Sequence, residues 1–216
     1  VHSHVVAAQA LLERVAAQGP QLVALGRAAD RAVAAQACKG ELTVAAQHQP
    51  ERRDLVLVDD ATGQDQTVSV DWRSALALQV TQQRPRPCGY WLAASETRAV
   101  ETLRKLGVQV QAMPRGRLVP VERYVFKSVA ADRRQDGRGA IQDEGGILRV
   151  QVDTRAERLR LPAGGWYVSL AQPLAGLVTA ALEPDSQNSY VAARLIAVPD
   201  AGGPDRLLRV MAPLRH

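Results

Sequence analysis

The feature that most constrains this chain is a change of rhythm at Lys39-Gly40. Before it, apolar residues recur with a helical period. After it, they alternate in short runs. SHVVAAQALLERVAAQ places Val5, Val6, Leu12 and Val15 near one side of a helix, with alanine between them. Ser3 is the expected N-cap, Gly19-Pro20 interrupts the run, and a second helix is expected from Gln21 to Ala37. Beyond Gly40, ELTVAAQH, RRDLVLVDD and QTVSVDW read as strands, with Asp60-Ala-Thr-Gly63 as a turn. Helices and strands that segregate in this way specify an α+β fold rather than alternating βαβ units. The reading is a three-stranded antiparallel β meander over 41–72, followed by a further strand over 75–82. Two units are expected: a helical segment over 1–40 and a mixed C-terminal domain over 41–216.

The second half is organised around one strand–helix–strand unit at 88–113. CGYWLAA is a short apolar strand. Ser95 is placed to cap ETRAVETLRKL, whose Val100, Leu103 and Leu106 share a face. Gly107 stops that helix, and VQVQAM resumes as a strand. VPVERYVFKSV is a long strand, 131–146 a polar surface loop, and ILRVQVDT and ERLRLP a pair of strands. AGGWYVSL is another strand. Pro173 opens a helix over LAGLVTAAL, SYVAARLI forms a second short helix, and RLLRVM is the last strand.

Composition excludes several function classes. The 216 residues can bury a sizeable core, and no apolar run is long enough to span a bilayer. The net charge of +5 comes mostly from arginine, with Lys39, Lys105 and Lys127 the only lysines. Acidic residues are interspersed throughout, so there is no basic stripe and nucleic acid is not an expected partner. Position 1 is not methionine, and the chain reads as a piece of a longer polypeptide.

Candidates for chemistry are few. The histidines are His2, His4, His48 and His216. On a helix His2 and His4 point about 200° apart and cannot grip one metal ion together. His48-Gln-Pro-Glu51 has His-x-x-Glu spacing, but Pro50 and the absence of a credible further histidine argue against a metal site. Asp143-Glu144 are adjacent carboxylates in a polar loop and read as solvated charge. No nucleophile elbow or phosphate-binding loop is present. No catalytic or metal-ligating residue is therefore assigned.

Cys38 and Cys88 admit two readings, a pair of small buried hydrophobes or one structural disulfide. The pairs Tyr90-Trp91 and Trp166-Tyr167 each follow a glycine. Adjacent strand residues face opposite ways, so one ring of each pair is expected in the core and the other exposed. Trp91 and Trp166 are the candidates for stacking on a sugar or peptide; packing within the core is the competing reading.

Two stretches carry a resemblance. CGYWLAASETRAVETLRKLGVQVQAM and GGWYVSLAQPLAGLVTAALEPDSQNSYVAARLI resemble segments that follow the catalytic domain in bacterial zinc carboxypeptidases of the carboxypeptidase A-like class. The opening VHSHVV helix looks like the one after that domain's last active-site stretch. The likeness covers 1–212 and is strongest over 84–112 and 164–196. It implies a parent hydrolase that cleaves C-terminal peptide bonds with a zinc-activated water. Zinc is expected in that parent and no cofactor in this chain, since the family's ligands would lie upstream of Val1. The implied role is a non-catalytic C-terminal domain that shapes or stabilises the peptidase. Its partners would be the upstream catalytic domain and the parent's peptide substrate, in a periplasmic or secreted setting. That oxidising compartment favours the disulfide reading of Cys38 and Cys88. An independent module binding peptide or cell-wall sugar through Trp91 or Trp166 is the alternative.

Overall fold

A computed structural model describes residues 2–74, 76–133, 135–136, 139–140, 146–200 and 202–214. Two helices come first, α1 (His2–Ala17) and α2 (Gly19–Ala34). Ser3 lies inside α1 rather than capping it. Pro20 falls in the first turn of α2, where its missing N–H costs nothing. Most large apolar residues of both helices face solvent: Leu12 is 69% exposed and Leu25 67%, and no residue of α2 is fully buried.

The chain divides into two compact units, 41–84 and the remainder (1–40 with 85–216). The smaller unit contains β1 (Glu41–His48), β2 (Glu51–Val58), β3 (Asp65–Trp72) and β4 (Leu78–Pro85, whose last residue falls in the larger unit). The strands lie where alternation puts them, but they do not form a meander. β2 pairs with β3, and β1 pairs with β4. Contacts of Gln47 with Gln79 and of Gln49 with Ala77 run in opposite chain directions, so the outer pair is antiparallel too. The result is a two-stranded ribbon of nested hairpins. The tip turn is closed by Asp59, whose carboxylate accepts from the Ala61 and Thr62 amides at 3.0 and 2.9 Å. Those bonds hold the Asp59 carboxyl below its usual range.

The larger unit is built on a six-stranded sheet. Its strands are β5 (Gly89–Leu92), β6 (Gln111–Ala112), β7 (Arg117–Asp132), β10 (Ile147–Leu161), β11 (Trp166–Ser169) and β12 (Leu207–Val210), in the order β10-β7-β12-β5-β11-β6. Every neighbouring pair is antiparallel. β8 (Gln135–Asp136) and β9 (Gly139–Ala140) form a small hairpin within the segment expected to be loop. ILRVQVDT and ERLRLP are not two paired strands. They are one strand, β10, which runs along β7 with a register shift between Gln151 and Val152.

The strand–helix–strand unit is present in a split form. β5 leads to α3 (Thr97–Lys105) and on to β6, and β11 lies between β5 and β6. Ser95 does not cap α3; its hydroxyl donates to Glu96 Oε1 at 2.9 Å. The C-terminus follows the expected glycine logic. Gly107 has φ +88°, its N–H bonds to Arg104 O at 2.9 Å, and Val108 N–H bonds to Leu103 O at 3.0 Å. These two bonds satisfy carbonyls that the helix itself leaves open. The buried face is Ala99, Val100 and Leu103; Leu106, past the last turn, is exposed.

α4 (Ala175–Leu182) is the second helix on the sheet. SYVAARLI is not a helix but a series of turns that contributes Tyr190, Val191 and Ile196 to the core. Alternation along the sheet sorts side chains into two layers. Tyr90, Leu92, Val168 and Leu207 pack with α3 and α4. Trp91, Tyr167, Leu208 and Val210 form a separate cluster with Met113, Val119, Val121 and Leu161. Both sheet faces are therefore covered around β5, which is why its four residues are all buried.

Candidate functional site

The residues first considered for a metal do not converge. His4 sits on the exposed surface of α1. His48 is at the end of β1, with Nδ1 3.3 Å from Ser74 O. The side chain of His2, and His216, lie outside the described residues, as do Asp143 and Glu144. Cys38 and Cys88 are bonded to each other, with Cα atoms 4.2 Å apart. Among the described residues no three His, Cys, Asp or Glu side chains are grouped as metal donors. A catalytic zinc needs about three protein ligands and an open position, and the described residues do not bring such a set together.

The aromatic pairs come out differently from each other. Tyr90 and Trp91 do face opposite sides of β5, but both sides are packed, and Trp91 is only 4% exposed. Almost none of its ring is open for stacking. Gly165 explains the fit: a Cβ there would lie 2.8 Å from Trp91 Cε2 and 2.9 Å from Leu92 O. Trp166 is half-buried, and the Arg104 guanidinium lies over its ring at 4.8 Å from the centroid.

Trp91 forms part of the wall of an open cleft of about 440 Å³. Leu159 and Leu161 from β10, Leu208 from β12 and Gly165 supply apolar lining. Arg123, Arg160 and Asp205 supply charge. Arg123 Nε is 2.9 Å from Asp205 Oδ1, and its Nη2 donates to Oδ2 at 2.9 Å, an ion pair anchored by one hydrogen bond.

The strongest electrostatic feature is buried on the helix side of the sheet. Arg209 is fully buried in β12. Its Nε donates to Glu183 Oε1 at 3.0 Å, its Nη1 to Glu122 Oε2, and its Nη2 to Pro85 O at 2.5 Å. Tyr90 donates its hydroxyl to the same Glu183 oxygen at 2.6 Å. Burial works against the Arg209 charge, but Glu183, Tyr124, Tyr90 and Glu122 outweigh it and hold the guanidinium protonated more firmly than in water. Burial, with Glu183 beside it, pushes the Tyr90 phenol well above its ordinary range. All three nitrogens of the guanidinium are satisfied within the fold, so the arrangement locks β12, β5, β7 and the end of α4 together. Sequence reading missed it, because Arg209 in RLLRVM and Glu183 after LVTAAL look like ordinary surface charges. The one available signal was a cation at the centre of an otherwise apolar strand.

The chain is similar to three fungal proteins called Carboxypeptidase 2. The match to that of Trichophyton tonsurans is 28% identical over 162 residues, and so is the match to that of Trichophyton equinum. The protein of Trichophyton rubrum is 26% identical over the same length. Each match takes in 68% of this chain but 29% of the relative, so the chain spans less than a third of the length of these curated relatives. No family model matches the chain, and no solved structure does. The chain carries a carboxypeptidase-related region. Among the described residues no helix is long and apolar enough to cross a membrane.

Proposed function

We propose that this chain is the C-terminal, non-catalytic region of a zinc metallocarboxypeptidase and that it shapes or stabilises the peptidase. The observation that carries the reading is the partial match: a region related to carboxypeptidases that covers a minor share of their length. The apolar residues left in solvent on α1 and α2 support it, because an amphipathic helix in water needs something to cover that side. In this reading the upstream catalytic part of the same polypeptide covers them. Zinc and the hydrolysis of C-terminal peptide bonds belong to that part. A secreted or periplasmic setting accords with the disulfide.

The test compares this chain with a longer natural polypeptide that contains it. Both are dialysed, assayed for bound zinc and offered a peptide with a free C-terminus. The expected result is zinc and stepwise C-terminal cleavage in the longer protein only. One zinc per chain and cleavage by residues 1–216 alone would overturn the reading.

The second reading, an independent peptide- or cell-wall-sugar-binding module, has the cleft beside Trp91 in its favour. Calorimetric titration with a cell-wall disaccharide-peptide separates the two. Saturable heat that is lost in Arg160→Ala would support the module; no heat would remove it.

A further inference from the structure

We propose that Cys38–Cys88 is a redox latch: its reduction by a dithiol releases the N-terminal helical segment while the six-stranded sheet stays folded. This goes beyond the carboxypeptidase reading and does not depend on it.

Among the described residues the helical segment has few further buried side chains against the sheet. No residue of α2 is buried; Val33 and Ala37 are only partly buried where they meet the core. One backbone bond at the junction, Cys38 N–H to Pro87 O at 3.2 Å, accompanies the disulfide, and Arg86 N–H to Gly40 O at 2.8 Å follows it. The covalent bond thus stands beside two backbone bonds and two half-buried side chains as a restraint on how α2 leaves the sheet.

The two cysteines are held very differently. Cys88 is 2% exposed, immediately before β5. Its N–H bonds to Val210 O at 2.8 Å, and its carbonyl accepts from Leu170 N–H at 3.0 Å and from the Tyr167 hydroxyl at 3.2 Å. The sheet fixes this residue whether or not its sulfur is bonded. Cys38 is exposed, lies beyond the end of α2, and has φ +64°, a left-handed conformation that side chains other than glycine rarely adopt. Breaking the bond lets Cys38 leave that conformation and leaves Cys88 where it is. Exposed disulfides held under local strain are the labile ones.

The exchange follows from this asymmetry. A thiolate of the dithiol attacks the sulfur of the exposed residue Cys38, and the S–S bond breaks with Cys88 leaving as thiolate, which takes up a proton. The second thiol of the reductant, losing its proton, attacks the mixed disulfide at its own sulfur and expels Cys38 as thiolate, which is protonated in turn. Two electrons pass to the protein, and the dithiol becomes a cyclic disulfide.

The experiment equilibrates the full chain in buffers of increasing reduced-to-oxidised dithiothreitol, traps thiols with iodoacetamide and counts them by mass. Near-ultraviolet circular dichroism follows the packed Trp91, Tyr90 and Tyr167, and tryptic cleavage after Arg27 and Arg31 follows α2. The expected result is two thiols per chain with the near-ultraviolet signal retained. Cleavage after Arg27 and Arg31 should rise about tenfold, the factor that corresponds to a loss of ~1.4 kcal/mol of restraint. A monothiol, 2-mercaptoethanol, quenched in acid, should leave its adduct on Cys38. The double variant Cys38→Ala/Cys88→Ala, without reductant, should be cleaved as fast as the reduced chain. Thiols that appear only as the near-ultraviolet signal collapses, an adduct on Cys88, or unchanged cleavage in reduced chain and double variant would each overturn the proposal.

Discussion

Replacing Arg209 by methionine removes the cation of the buried cluster while keeping a side chain of similar reach. Glu183, whose side chain is 2% exposed, then loses the guanidinium while the Tyr90 hydroxyl still donates to it, and Glu122 loses its guanidinium partner as well. Breaking a buried pair from one side typically costs about 3–5 kcal/mol, because the remaining charge is stranded away from water. For a chain of this size each kcal/mol shifts the melting midpoint by roughly 2–4 °C, so Arg209→Met should melt about 6–20 °C lower. Glu183→Gln is milder, since the amide oxygen still accepts from Tyr90 and Arg209 and Glu122 still balances the guanidinium. A loss of about 1.5–3 kcal/mol, that of one charge-assisted hydrogen bond, is expected. The decisive measurement is the double variant. If the cost is stranded charge, Arg209→Met/Glu183→Gln should be more stable than the sum of the single losses by about 1–3 kcal/mol. Urea denaturation at neutral pH, followed by near-ultraviolet circular dichroism, gives all three values. Arg209→Met within about 1 kcal/mol of the unaltered chain, or strictly additive losses, would refute the argument that charge pairing holds this part of the core.

Alkaline pH should weaken the same region. The folded Tyr90 phenol is raised above its unfolded value of 10.0, so the native state keeps its proton more tightly. Its contribution is complete below that value and is lost as pH rises toward the folded one, so unfolding titrations above about pH 10 should show falling stability, reduced in slope in Tyr90→Phe. Gly165→Ala should destabilise by about 1–3 kcal/mol and shift tryptophan emission, because the added methyl meets the Trp91 ring and the Leu92 carbonyl together. An unchanged emission spectrum and midpoint would count against that contact. Gln172 accepts from Gln109 N–H at 2.8 Å and donates to Ser169 O at 2.6 Å and Gln109 O at 3.3 Å. Gln172→Leu should therefore cost about 1–3 kcal/mol for the orphaned amide, with faster hydrogen exchange at Gln109.

What the sequence determined by itself is the set of features whose causes are a few residues apart. The α+β class, the ending of α3 at Gly107, the apolar strand at Gly89–Leu92 and the turn before Gly63 all rest on local periodicity or on one backbone angle. The resemblance to carboxypeptidases was also legible in contiguous words, 84–112 and 164–196, and the similarity to Carboxypeptidase 2 agrees with it at that coarse level. Only the tertiary structure decided the pairings. Nothing in the alternation of 41–85 says whether a strand meets its neighbour or the strand three further on, because period-2 patterning marks a face and not a partner. The insertion of β11 between β5 and β6 is of the same kind. So is the Arg209 cluster, which joins side chains from Tyr90, Glu122 and Glu183 with the Pro85 carbonyl. Arg209 is a surface residue by type and a core residue by position, and that position exists only once β12 has been threaded between β5 and β7. Burial of a charge depends on what three other segments of the chain bring to it, and no local pattern records that.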